Sequence, residues 1–408
     1  MKKSVCIIGG GASGMTAAIA AAKAGAQVTL LEKNSCLGKK ILLTGNGKCN
    51  LTNLDMDLSA YDTDSRNGLA GQVLGQFNEK DLMAFFSSLG MRLMINRGTY
   101  VYPESEAAET VLNVLKRALK ELGVRCVYEA RVCHIHKTET GFMVETEEET
   151  YGADRVILSC GGCAYPKTGS DGTGFGLAEE LGIEVSPLYP ALTAFVCPLK
   201  EQKQISGLRA HAKVSLYIDG QLSMEDTGQI QFTDYGISGI PVFQVSTLGA
   251  KALLLYDQKV TAKIDLFPEK TGEEVKQELA KQLERFPKLP VTEALIGFLH
   301  KKWIGFLDKR LGLSSWEMAG KLSEKQQESL VKELTELTFS VKDVKGFDFC
   351  QVTGGGVATH QVDDNLMVKA VPGLYITGEM LDVTGKCGGY NLQWAFSTGY
   401  LAGSHSAG

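Results

Sequence analysis

Glycines spaced Gly9-x-Gly11-x-x-Gly14 stand between a short apolar run, Ser4–Ile8, and an alanine-rich stretch at 12–24. Between a strand and a helix this spacing has one main use. The first glycine permits the tight turn, the second lets backbone approach a pyrophosphate, and the third lets helix and strand pack closely. Ala12 and Ser13 open the helix, whose free amides and dipole attract the anion. Gly25 is placed to stop that helix. The segment 27–32 reads as the next strand, and Glu32 at its end would accept hydrogen bonds from ribose hydroxyls. The first 32 residues therefore form a βαβ unit for a dinucleotide.

Further nucleotide-sheet elements follow. Val111, Leu112, Leu115, Ala118, Leu119 and Leu122 keep helical spacing up to Gly123, with Ser105 as candidate cap. Strand 124–128, a hairpin of 131–135 and 142–146, and strand 155–159 ending in Gly161-Gly162 come next. From about Ala191 the texture becomes β-type, at 194–198, 212–218, 229–233 and 260–266, as for an inserted sheet or barrel. Capping boxes at Thr271/Glu274, Ser314/Glu317 and Ser323/Gln326 then announce helices, the first with Val275, Leu279, Leu283 and Phe286 on one face. Glycines return near the C-terminus, which completes the interrupted nucleotide domain.

Composition narrows the function classes. The chain has 42 Lys+Arg against 47 Asp+Glu, a net charge of −5 and no basic block, which argues against a nucleic-acid partner. No apolar run approaches membrane-spanning length, so no membrane association is expected. Lys2-Lys3 before an apolar segment resembles a signal peptide, but Gly9, Gly10 and Gly11 interrupt it. Ten cysteines scattered through apolar segments read as reduced thiols, and the expected location is cytoplasmic. His134-x-His136 places two imidazoles on one strand face, but no further Cys or His completes a set, so no metal is expected.

The C-terminus selects the cofactor. Residues 373–379 (GLYITGE) form an apolar strand ending in Gly378-Glu379, an arrangement that holds the ribityl chain of FAD. Gly388-Gly389-Tyr390-Asn391-Leu392-Gln393 then leads into a helix at 394–401, whose start could place amides near the flavin N1/C2 oxygen.

These stretches, with GGGASG (9–14), LLTGNGKCNLTN (42–53), CGGCAYPKTGSDGTGFGLAEELG (160–182), QFTDYGISGIPVFQVS (231–246) and VTGGGV (352–357), run the length of the chain. In them the sequence resembles the BaiN-like (YhiN-type) NAD(P)/FAD-dependent oxidoreductases, a group that includes aminoacetone oxidase-type flavoproteins. The resemblance implies an α/β fold: a Rossmann-like FAD domain of the two-dinucleotide-binding-domains type, an inserted β-barrel and a small helical domain. The corresponding boundaries are 1–190 with 345–408 for FAD, 191–268 with 337–344 for the barrel-like substrate domain, and 269–336 for the helices.

Carried over residue by residue, it implies FAD contacts from Ser13, Glu32, Lys33 and Lys40. Thr44, Gly45, Asn46, Gly47, Lys48, Cys49 and Asn50 would lie along the pyrophosphate and flavin, and Val132 backbone would meet the adenine. Gly161 and Gly162 would support the cofactor, and Gly378, Glu379, Gly389, Tyr390, Asn391, Leu392 and Gln393 would hold ribitol and ring. Lys48 stands where Arg is common, keeping the charge without the planar fork. Asp234 stands where His is frequent, and Cys160 and Cys163 where the family usually lacks a thiol pair. A Cys160/Cys163 redox dithiol is the lesser reading, since Cys160 ends a strand that should be buried.

No second GxGxxG occurs mid-chain, so NADH or NADPH would visit the substrate cavity as a transient co-substrate. The preferred reading is reduction of FAD by NAD(P)H, then hydride transfer from flavin N5 to the β-carbon of an apolar enone. The family's 3-oxo-Δ4,6 bile-acid chemistry makes a steroid the concrete candidate. A proton for the α-carbon could come from Tyr390, Tyr235, Tyr165 or water, and the sequence does not rank them. The alternative is an amine oxidase of aminoacetone type using O₂. A third reading, a flavin-containing tRNA-modifying or redox scaffold protein, would need a basic face from Lys200, Lys203, Arg209, His211 and Lys213.

Overall fold

The computed structural model describes residues 2–62, 68–316 and 318–408. Chain contacts divide it into two compact units, 1–189 with 351–408 and 190–350.

The first unit is built on a five-stranded parallel sheet. Strand β1 (Ser4–Ile8) runs into helix α1 (Ala12–Lys23), which returns to β2 (Gln27–Leu31). Helix α2 (Ala108–Glu121) leads to β3 (Arg125–Val127), and β4 (Arg155–Leu158), β5 (Leu374–Ile376) and helix α3 (Tyr390–Ser406) complete the layer. The strand order β5-β4-β1-β2-β3 reverses direction at β1/β4. In such a sheet, ligands bind beyond the carboxyl ends of the strands at that switch point. Strand β1 is buried over its last four residues, and its register pairs Ile8 with Leu31 on one side and Leu158 on the other. Three loops thus emerge side by side from one edge.

Alanine and glycine set the helix layer. Helix α1 is buried along most of its length, with Gly25 at φ +96° just beyond its C-cap Ala24. A Cβ at Gly399 or Gly403 of α3 would collide with the backbone of Ser13 or Ala17, so these positions let α1 and α3 touch main chain to main chain. Helix α2 is capped by Ala107 without a side-chain bond. The expected cap, Ser105, instead donates its hydroxyl to Thr110, because the left-handed turn at Glu106 starts the helix later. The crossover between β3 and β4 is a meander of Val132–Lys137, Phe142–Thr146 and Thr150–Ala153, whose third strand the sequence pattern had not suggested. No helix among the described residues is long and apolar enough to cross a membrane.

The second unit carries a seven-stranded antiparallel sheet, in the order Leu337–Ser340, Val260–Asp265, Arg209–Ile218, Gln221–Phe232, Gly236–Ser238, Phe195–Val196, Asp343–Val344. Helix Ile240–Tyr256 packs on it where Gly249 meets the Phe195 ring. Two reciprocal capping boxes open the helices Gly272–Arg285 (Thr271/Glu274) and Glu324–Thr335 (Ser323/Gln326). Ser314 lies in a 3-10 turn and donates to Asp308, while Glu317, its expected partner, falls outside the described residues.

Candidate functional site

A cleft opens at the carboxyl edge of the parallel sheet. Each strand end contributes to its wall: Gly9–Gly11 after β1, Glu32–Asn34 after β2, Ala130–Val132 after β3, Ser159–Gly161 after β4 and Glu379 after β5. The expected residues Ala12, Ser13, Lys33, Lys40, Thr44, Val132, Asn391 and Leu392 line it as well.

The Gly9–Gly14 turn divides its tasks as its spacing demands. Gly9 adopts φ +104°, and a Cβ there would press on Ser159. Gly14 touches the carbonyl of Gly9 so closely that no side chain fits. Gly11 differs: it has ordinary extended backbone (φ −81°, ψ −164°), and nothing lies within 4 Å of where its Cβ would be. That empty cradle faces the N-terminus of α1, which has no side-chain cap, so its first-turn amides lack intrahelical acceptors. Free amides, positive helix end and open space fit a diphosphate.

Glu32 is buried, and its carboxylate is fixed before any ligand arrives. Oε2 accepts the Gly10 amide at 2.8 Å, and Oε1 accepts the amide and side chain of Asn34 at 2.8 and 2.7 Å. Oε1 is filled by these two bonds, and Oε2 keeps lone-pair capacity for a hydroxyl donor. Lys33 Nζ pairs with Asp171 at 2.5 Å and reaches the Thr173 hydroxyl at 3.2 Å. Burial opposes ionisation of Asp171, but the bonds from Lys33 and Thr173 outweigh it and hold the carboxyl below its usual range. Lys40 Nζ meets Glu379 Oε2 at 2.6 Å, and Oε1 accepts the Thr353 amide at 2.8 Å. A Cβ at Gly162 would strike Thr353 and Glu379, which explains that glycine although it does not line the cleft. Ser170, also in the wall, has a buried hydroxyl with no partner among the described residues.

At the far end, Asn391 spends its side chain on the loop before α3: Oδ1 accepts the Gly385 amide at 2.8 Å and Nδ2 donates to the Gly385 carbonyl at 2.7 Å. Trp394 Nε1 donates to the Gly378 carbonyl, and Thr398 Oγ1 accepts the Gly378 amide. The start of α3 is thereby locked to the end of β5, and Gly389 at φ +101° is its uncapped N-terminus. Gln393 is fully buried and bonded to Ser397.

Other expected residues stand outside the cleft lining. Gly45, Asn46, Gly47 and Lys48 are exposed, and Lys48 pairs with Glu106 at 2.7 Å. Cys49 and Asn50 are buried, and burial pushes the Cys49 thiol up to about 12. Tyr390 donates its hydroxyl to the Asp55 carbonyl at 2.7 Å, and burial followed by nearby Asp55 raises its pKa. Tyr165 sits at φ +56° with its carbonyl held by Thr168. Tyr235 belongs to the second unit, with Lys345 Nζ 4.0 Å above its ring. The sequence reading missed Asn34, Cys36, Thr168, Ser170, Thr173, Gln351 and Trp394, all of which line the cleft.

Cys160 and Cys163 form no disulfide, and burial pushes Cys160 up to about 12 while its thiol donates to the Ile8 carbonyl. His134 and His136 face Glu180 and Glu145 on the surface, and no group of three or more His, Cys, Asp or Glu among the described residues could hold a metal.

Sheet order, amide-lined turn and acidic strand end define a Rossmann-like dinucleotide-binding protein. The chain matches the family described as HI0933-like protein Rossmann domain over residues 3–405, and it belongs to that family. It is 42% identical over 405 residues, 98% of each chain, to the 3-dehydro-bile acid delta(4,6)-reductase of Clostridium scindens. It is 28% identical over 397 residues, 97% of this chain and 95% of the other, to the ribosomal RNA dihydrouridine synthase of Escherichia coli. Among solved structures, the 3-ketosteroid-delta4-(5alpha)-dehydrogenase of Rhodococcus jostii RHA1 aligns over 100% of this chain and 97% of its own, at 18% identity and a TM-score of 0.48.

Proposed function

We propose that this protein is an FAD-dependent reductase of carbon–carbon double bonds conjugated to a carbonyl, with NADH or NADPH as reductant. The observation that carries the reading is the 42% identity with a bile-acid reductase across 98% of both chains, which favours a 3-oxo-Δ4,6 steroid as substrate. When bound, FAD supplies the redox chemistry, by which enone, NAD(P)H and a proton become saturated ketone and NAD(P)⁺, hydride reaching the β-carbon and the proton the α-carbon.

The chain supplies position and charge. The first-turn amides of α1 would hold the pyrophosphate and Glu32 the ribose, while Val132 backbone would meet the adenine and the Lys40–Glu379 pair would flank the ribityl chain. The uncapped start of α3, at Asn391 and Leu392, would present partial positive charge to the pyrimidine side of the ring. The Tyr390 hydroxyl is committed to Asp55, so Tyr165 or water is the proposed source of the proton for the α-carbon. The test is product analysis by mass spectrometry with either pyridine nucleotide and a panel of enones. Gain of two hydrogens by the steroid dienone is expected; no reduced product from any enone would remove the reading.

A second substrate has support of its own. Identities of 28% and 27% with the ribosomal RNA dihydrouridine synthases of Escherichia coli and Haemophilus influenzae favour the C5=C6 bond of uracil, which is also conjugated to a carbonyl. The net charge of −5 weighs against an RNA partner. So do the ion pairs that Lys200 and Lys213 make with Glu201 and Glu225. Salt-sensitive binding of ribosomal RNA with dihydrouridine formation would favour this second substrate.

A further inference from the structure

Two large apolar side chains stand in solvent beside the cleft. Ile41 and Thr44 both line its wall, and between them Leu42 and Leu43 are 39% and 53% exposed. Neither belongs to the lining, and both are bracketed in the chain by residues that do.

The segment that carries them is rigidly built. The Leu43 amide donates to the Lys40 carbonyl at 3.1 Å, and the Thr44 hydroxyl to the Ile41 carbonyl at 2.7 Å. Beyond them the chain turns through left-handed backbone at Gly45, Asn46, Gly47 and Cys49, closed by the Cys49 amide on the Thr44 carbonyl at 3.0 Å. Non-glycine residues in that region carry strain, and strain held this way gathers at ligand-binding sites. Lys40, the residue before the turn, is fixed to Glu379 inside the cleft. The two leucines are thus held at fixed positions and do not collapse onto the core.

We infer that Leu42 and Leu43 form an apolar lip that receives the hydrocarbon body of the substrate and so selects large apolar enones over small or polar ones. This rests on the enone reading and deepens it by naming what recognises the part of the substrate remote from the reacting bond. A nucleobase presented by RNA has no comparable apolar body to offer such a lip.

The test uses the FAD-loaded protein and the double variant Leu42→Ser/Leu43→Ser, with Leu43→Met as conservative control. The Kd of a 4,6-dien-3-one steroid, and separately of 2-cyclohexenone, is read from perturbation of the bound flavin's absorbance. Partial burial of two leucines predicts a steroid Kd raised roughly tenfold or more in the double variant. The cyclohexenone Kd changes far less, Leu43→Met stays near wild type, and flavin content is unaltered. Equal changes for both ligands, an unchanged steroid Kd, or wild-type protein that fails to bind the steroid would each overturn the inference. Steroid binding with the predicted selectivity but no turnover would overturn the enone-reductase reading alone.

Discussion

Replacing Gly11 with alanine is expected to separate folding from cofactor binding, and replacing Gly14 is expected to damage both. At Gly11 the backbone is extended and no atom lies within 4 Å of the new methyl group, so the apoprotein has room for it. Reduced freedom of the unfolded chain contributes about 0.4–1 kcal/mol of stability. The poorer capping ability of alanine removes about 1 kcal/mol, so the two nearly cancel. The methyl group would occupy the space in front of the α1 amides, where the diphosphate is assigned. Losing one charge-assisted hydrogen bond there, about 1.5–3 kcal/mol, raises the Kd for FAD roughly 10- to 100-fold. Gly14→Ala instead drives a methyl into the carbonyl of Gly9, about an ångström inside the closest approach real side chains make. Overpacking of this kind costs about 1–3 kcal/mol, at about 2–4 °C of melting temperature per kcal/mol for a unit of this size. The assay is thermal unfolding of apoprotein together with FAD titration by fluorescence quenching. Gly11→Ala protein that binds FAD as tightly as wild type would refute the placement of the diphosphate.

Other perturbations read different parts of the structure. Tyr390→Phe removes the bond to the Asp55 carbonyl and is expected to lower stability by about 1 kcal/mol in urea unfolding. Its solvent isotope effect on turnover should match wild type, and a lost or altered effect would return Tyr390 to the list of proton donors. Cys160, pushed up to about 12 by burial, should resist iodoacetamide at pH 8 in native protein and label fully on unfolding. Rapid native labelling, or a Cys160–Cys163 disulfide after turnover, would revive the dithiol. Asp154 accepts the amide and hydroxyl of Ser4, both at 2.7 Å, which hold its carboxyl below the usual range. Because its folded pKa lies below the unfolded value of about 3.9, its contribution is present above that pH and lost as pH falls through the folded pKa. The melting-temperature gap between wild type and Asp154→Asn should therefore be constant near neutrality and shrink below about pH 4. A gap independent of pH would contradict the assigned cause.

What the sequence disclosed was mostly local. The β1-α1-β2 unit could be read because strand, glycine turn and helix are contiguous, and the capping boxes at Thr271 and Ser323 because each is complete within four residues. Ser105 misled because a cap depends on where the chain turns, and the left-handed Glu106 moved the helix start to Ala108. The strand Thr150–Ala153 was invisible because four residues that include a glycine form a ladder only once Phe142–Thr146 lies beside them. The cleft was legible at Gly9–Gly11 and Glu32, where one motif holds both wall and chemistry. Ser170, Thr353 and Trp394 reach the same cleft from three distant segments, and only the strand order β5-β4-β1 assembles them. Asn391 shows the opposite case: it lines the cleft as its position indicated, but its side chain is spent on clamping Gly385.

The central claim, an FAD-dependent enone reductase, is tested most directly by anaerobic stopped-flow absorbance of the purified yellow protein. NADH or NADPH is expected to bleach the bound flavin, and a 3-oxo-Δ4,6 steroid then to restore its colour without oxygen, one equivalent of reduced steroid appearing per flavin. Flavin that neither pyridine nucleotide reduces, but that aminoacetone bleaches and only oxygen restores, would contradict that claim.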